Sequence, residues 1–181
     1  MAIITSSDLL FQNTSGVAQN TSSTITQGLS IVGGNGNNVY SVASIPATVQ
    51  KIYINLYGTG YSSGPNSPVI QVRDNFGTVG VTQYFNILNS GSTYSSYSSS
   101  TATNMWVATP YYSMPDVSVE IWKIHDNQFF YRMYGNAGTT GVVSMLTGYG
   151  YISNISRISQ IDISASGTYT FVNMYLNISW E

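Results

Sequence analysis

The chain has 181 residues, a formal charge of −2 and no cysteine, and only 7% of it is charged, against roughly 25% in an average soluble domain. That balance leaves no basic footprint for nucleic acid and neither a disulfide framework nor a thiolate metal site. The length suffices for one domain with its own core. Neutral hydrogen-bonding residues must carry the surface, and a surface with so little self-repulsion suits packing against other protein.

Residues 1–37 differ from the rest. The start, Met1-Ala2-Ile3-Ile4-Thr5, has no basic region and only a broken apolar run, so neither a secretion signal nor a membrane span is expected. Leu9, Leu10 and Phe11 form a short apolar cluster, and a Ser/Thr/Asn/Gln stretch follows to Gly28. Gly33-Gly34-Asn35-Gly36-Asn37 has the composition of a turn or linker. The segment reads either as an extended arm touching a neighbour through Leu9, Leu10 and Phe11, or as an irregular edge strand of its own domain. The division expected is an arm or linker over 1–37 and a β domain over 38–181.

From Val39 onward strands recur at short intervals. Residues 39–45 form one; residues 51–57 are the clearest, with Ile52, Ile54 and Leu56 on one face and Tyr53, Asn55 and Tyr57 on the other. A turn-rich connection over 58–68 leads to a strand over 69–73. Asp74-Asn75-Phe76-Gly77 signals a tight turn, and residues 82–88 resume the sheet. Residues 90–104, a Ser/Thr/Tyr tract without apolar alternation, read as an exposed loop. A short strand over 105–108 precedes Pro110 and Pro115. Val117, Val119 and Ile121 then share a face, with Ser118, Glu120 and Trp122 opposite. His125-Asp126-Asn127-Gln128 turns the chain into 129–134; residues 135–141 read as a loop, and 142–147 and 149–155 as two strands. Residues 157–181 read as a closing β-hairpin: Ile161 and Ile163, a turn at Gly167, then Met174, Leu176, Ile178 and Trp180 on one face of a strand pinned into the core. Nine or ten short strands and no helical period predict an all-β fold, an antiparallel β-sandwich with jelly-roll topology and an extended N-terminal arm.

Catalytic chemistry is scarce. Any Ser-His-Asp arrangement must use the single histidine, and His125 falls beside Asp126 at a predicted hairpin tip, where a positioned, dehydrated base is hard to maintain. Too few imidazole ligands exist for zinc. Asp74-Asn75 and Asp126-Asn127 offer oxygens to Ca²⁺, but Asx turns explain both pairs with less assumption. Gly33-Gly34-Asn35-Gly36 opens no helix and is no phosphate cradle. An enzyme is not expected, nor is a cofactor or metal. Binding is better supported: fifteen tyrosines and three tryptophans raise the aromatic content to 13%. Tyr57 and Tyr61 lie on or beside an outward face, Tyr94 and Tyr97 in the Ser-rich tract, Tyr111 and Tyr112 between prolines. Tyrosine supplies amphipathic contact area at low rotamer cost, against protein and sugar faces alike, so these six are the candidate binding residues.

Two segments resemble a known group of proteins. Ile155-Ser156-Arg157-Ile158-Ser159-Gln160-Ile161-Asp162-Ile163, the Gly167 turn, Thr170-Phe171 and Met174-Tyr175-Leu176 resemble the C-terminal end of small β-sandwich virion proteins of tailed bacteriophages. Residues 51–58, Ser63-Gly64 and 68–72 resemble the earlier half. The chain departs from that pattern in carrying Val172-Asn173 where such proteins often have Gly after the Phe. The resemblance implies a structural component on the particle exterior, commonly homotrimeric and assembled in the host cytoplasm, with itself, other virion proteins and a host surface glycan or protein as partners. Within that class it implies a short tail-fibre or receptor-binding module, or else a capsid decoration protein held by the arm. A lectin-like carbohydrate-binding domain fits the composition as a third reading.

Overall fold

A computed structural model describes residues 10–12, 18–20, 25–34, 36, 38–61, 68–90, 93–106, 116–139, 142–165 and 170–181. The elements in chain order are β1 (Leu10–Gln12), β2 (Ala18–Asn20), β3 (Thr26–Gly34), β4 (Val39–Ala43), β5 (Lys51–Tyr61), β6 (Pro68–Arg73), β7 (Val81–Ser90), β8 (Thr93–Ala102), β9 (Met105–Trp106), β10 (Asp116–His125), β11 (Gln128–Thr139), β12 (Val142–Ser153), β13 (Gln160–Ala165) and β14 (Phe171–Trp180). Alternation makes them strands. In β13 every second residue, Ile161, Ile163 and Ala165, is buried, and in β10 Val117, Val119 and Ile121 are. A period of two places all of these on one face of a pleated ribbon.

The strands form an eight-stranded sheet, β3-β14-β5-β10-β11-β12-β7-β8, and a four-stranded sheet, β4-β13-β6-β9, with β1 and β2 as a separate pair. Antiparallel ladders join β3 to β14, β4 to β13, β5 to β10 and β6 to β9. These four pairs are the rungs of one long antiparallel ribbon. Wrapping it brings β14 against β5 and β13 against β6, and the two halves face each other as a jelly-roll sandwich. Two hairpins inserted into the ribbon, β7-β8 and β11-β12, widen the large sheet beyond β10. Between the sheets lies one core in which Ile54, Leu56, Val119, Tyr131 and Ile178 from the large sheet meet Ile70, Val72, Ile161 and Ile163 from the small one. Each such aliphatic side chain contributes about 1.5–3 kcal/mol by leaving water.

The sandwich departs from the sequence reading at four places. Residues 157–181 are no hairpin: β13 belongs to the small sheet and β14 to the large one, because successive strands of a wrapped ribbon change sheets. Residues 93–102 form the edge strand β8, paired with β7, where a loop was expected. The expected loop at 135–141 is largely strand, since β11 runs to Thr139, and the two strands expected over 142–155 are one, β12. Finally, residues 26–34 are strand β3 beside β14, so the expected boundary at residue 37 falls inside the sandwich. Asn173 in β14 takes φ 49°, a left-handed conformation that asparagine tolerates better than most residues.

Candidate functional site

The outer face of the large sheet gathers the aromatic and charged side chains. Alternation turns Lys51, Tyr53, Asn55 and Tyr57 of β5 away from the core, and register sets them beside β10: Lys51 opposite Trp122, Tyr53 opposite Glu120, Asn55 opposite Ser118. On the next strand Trp122 meets Phe130, Glu120 meets Arg132 and Ser118 meets Tyr134; β12 adds Tyr151 beside Phe130 and Tyr149 beside Arg132. Three rows of side chains therefore cross strands as far apart in sequence as residues 51 and 151.

The first row is an aromatic run. The Trp122 and Phe130 rings lie 4.9 Å apart at 58°, and Phe130 and Tyr151 5.4 Å apart at 70°, the tilted geometry that aromatic quadrupoles favour. Cations border it: Lys51 Nζ lies 5.9 Å and Arg132 Cζ 5.6 Å from the Trp122 ring, and Lys51 Nζ lies 4.5 Å above Tyr53. Glu120 ties these groups together, 3.3 Å from Lys51 Nζ, with Arg132 Nη2 donating to both of its carboxylate oxygens at 3.0 and 3.1 Å. The Tyr53 hydroxyl donates to Glu181 Oε1 at 2.7 Å. A shallow depression of about 590 Å³ opens over this cluster, reaching Gln50, Lys123 and Glu181.

Burial acts to raise the Glu120 carboxyl, but the bonds from Arg132 and Lys51 outweigh it and hold the group below its ordinary range. Burial likewise acts to lower Lys51, and the Tyr53 and Glu120 contacts reverse it, leaving the ammonium raised. Tyr53 is raised, by burial first and then by its bond to Glu181. On the small sheet burial pushes Asp162 up while Ser41, Gln160 and Arg73 donate to it, and the carboxyl again ends below its ordinary value. A carboxyl depressed in the folded state stabilises the fold above its unfolded pKa, and that stability is lost as pH falls through the folded value. The melting temperature is therefore expected to hold from neutrality down to the ordinary values of 4.5 for Glu and 3.8 for Asp and to drop below them. Asp162→Asn should lower it at neutral pH and flatten that acid limb; a melting curve whose acid limb is unchanged in the variant would show that the Ser41–Arg73–Asp162 cluster contributes nothing.

Of the six predicted binding tyrosines, Tyr57 stands on this face, half exposed and stacked on Tyr175 at 4.8 Å and 1°. Tyr61 ends β5, and Tyr94 and Tyr97 belong to β8; the side chains of these three lie outside the described residues, as do Tyr111 and Tyr112 entirely. The structure does not bring the set together: β8 is five strands from β5 in the large sheet, about 24 Å at about 4.8 Å per strand. Leu10 and Phe11 belong to β1, which pairs with β2, and Leu9 lies outside the described residues. His125 and Asp126 are exposed at the β10-β11 turn. Asp74 makes the expected Asx turn, its Oδ1 accepting from the Phe76 and Thr78 amides at 2.8 Å each, with Gly77 at φ 81°. Among the described residues no three His, Cys, Asp or Glu side chains cluster as metal ligands would. The residues that sequence reading missed, Trp122, Phe130, Arg132, Tyr134, Tyr149 and Tyr151, carried one signal: five aromatics and a cation at positions that alternation assigns to solvent.

Comparison of the chain with protein-family models, curated proteins and solved structures finds no match.

Proposed function

We propose that this chain is an exterior component of a tailed-bacteriophage particle, a short tail-fibre or receptor-binding module, homotrimeric, that contacts a host surface glycan or protein. What supports this is the row Trp122–Phe130–Tyr151 on the open face of the large sheet, bordered by Lys51, Glu120 and Arg132. Rigid aromatic rings beside fixed charges are the side chains that dominate recognition surfaces. The jelly roll itself serves capsid proteins and lectins alike, so the fold leaves the choice to the face.

Adsorption of labelled full-length protein to bacterial cells tests it. Trp122→Ala, at a partly exposed position, should lower adsorption about tenfold, in line with loss of an interface anchor, while the melting temperature stays near that of the parent. Unchanged adsorption by a folded variant would sink the assignment of this face. Capsid decoration is the second reading, and it too has an observation behind it: β1 and β2 form a two-stranded sheet of their own, as a stapling arm would. Loss of head incorporation on deleting residues 1–20, with cell adsorption absent, would favour decoration over attachment.

A further inference from the structure

A second depression lies on the same outer face, one row farther along. It measures about 480 Å³ and is bordered by Tyr57 and Tyr134, with Asn55, Ser118, Asp116 and Asn136 among its lining. Both tyrosines are half exposed. Tyr57 is held by its stack on Tyr175, and the Ser118 hydroxyl donates to Asn55 Oδ1 at 2.9 Å. The two depressions share strands β5, β10 and β11. From Trp122 to Asp116 along β10 is six residues, about 20 Å at about 3.3 Å per residue.

We infer that the two depressions are subsites of one track along β10 that takes a linear, uncharged oligosaccharide, several sugar rings long. This rests on the attachment reading above and names the ligand of that face. The order of groups along the track separates a glycan from a protein partner. A protein interface has an apolar centre, depleted of charge, and a polar rim. Here charge sits inside the track: Trp122 and Phe130 stand at one end with Lys51 on their row, Tyr57 and Tyr134 at the other, and Glu120 and Arg132 lie between, with the Lys51 ammonium 3.3 Å from Glu120. A sugar chain matches that order, because each ring offers an apolar C–H face to an aromatic and hydroxyls that both donate and accept. Asn55, Ser118 and Glu120 supply amide, hydroxyl and carboxylate partners for them. Charge selects the kind of glycan. Lys51, Lys123 and Arg132 balance Asp116, Glu120 and Glu181 across the two depressions, so the side chains of the track carry no net charge with which to draw a polyanion.

The test is calorimetric titration of the full-length protein with chitin-derived and cellulose-derived oligosaccharides from mono- to hexasaccharide, and with polysialic acid as the anionic probe. Affinity should rise at least tenfold with chain length. Trp122→Ala and Tyr134→Ala should each abolish that rise while leaving the melting temperature nearly unchanged, and polysialic acid should bind no better than the neutral chains. Binding of short sugars that depends on Trp122 and ignores both Tyr134 and chain length would overturn the track and leave the attachment reading standing. Preference for polysialic acid would overturn the neutral ligand. No sugar binding at all, with cell adsorption still dependent on Trp122, would replace the glycan with a protein receptor; no binding together with Trp122-independent adsorption would remove both proposals.

Discussion

A chain lacking residues 171–181 is expected not to fold. The strand removed, β14, lies between β3 and β5 inside the large sheet, and it buries Phe171, Met174, Leu176, Ile178 and Trp180. At about 2 kcal/mol per side chain those five contribute on the order of 10 kcal/mol. The net stability of a domain is only about 5–15 kcal/mol, so the loss is comparable to the whole. Two neighbouring strands also lose their ladders: β5 pairs with β14 over nearly its full length, and among the described residues β3 pairs with no other strand of that sheet. The truncated chain should show no cooperative melting and no near-ultraviolet circular dichroism. A sharp thermal transition would mean that the jelly roll closes without β14.

Phe171→Ala should be the costliest single substitution in this strand. The side chain is fully buried, and its ring lies 5.8 Å from that of Tyr40 at 42°. Tyr40 belongs to β4 of the small sheet, so the pair joins the two layers at one end of the sandwich. Truncating a buried phenylalanine to alanine costs about 3–5 kcal/mol, which for a chain of this size lowers the melting temperature by on the order of 10 °C. Phe171→Leu keeps most of the volume and should cost less than about 1.5 kcal/mol. Chemical denaturation measures both. A cost below about 1 kcal/mol for the alanine variant would mean that the layers are not packed together at Phe171.

The errors of sequence reading have one physical source. Alternation reports which face of a strand is apolar, because burial acts on each side chain separately; it does not report which strand lies alongside. Residues 161–164 and 174–180 were both recognisable as strands, yet their order in the chain suggested a hairpin where the fold places them in different sheets. Composition failed at β8 for a related reason. An edge strand draws its stability from ladder hydrogen bonds to one neighbour, here β7, and Ser, Thr and Tyr satisfy that without an apolar period. Glycine misled in β11. A Cβ at Gly135 would run into the Asp116 carbonyl, so this glycine marks close approach of adjacent strands rather than a loop.

The candidate site divides along the same line. Each strand by itself marked its aromatic or charged residues as outward: Tyr53 and Tyr57 in β5, Glu120 and Trp122 in β10. Tyrosine-rich tracts drew attention to residues 94–97 and 111–112 instead, because clustering in sequence is easier to see than clustering in space. The sequence by itself determined the all-β class, the buried face of most strands, the Asx turn at Asp74 and the placement of residues 174–180 in the core, since each follows from local chemistry or from a period of two. Only the tertiary structure decided that Lys51, Glu120, Trp122, Arg132 and Tyr151 share a surface. That surface arises from lateral register between strands up to about a hundred residues apart, and the order of strands in a wrapped ribbon is set by how the two sheets close over one core, not by any single segment.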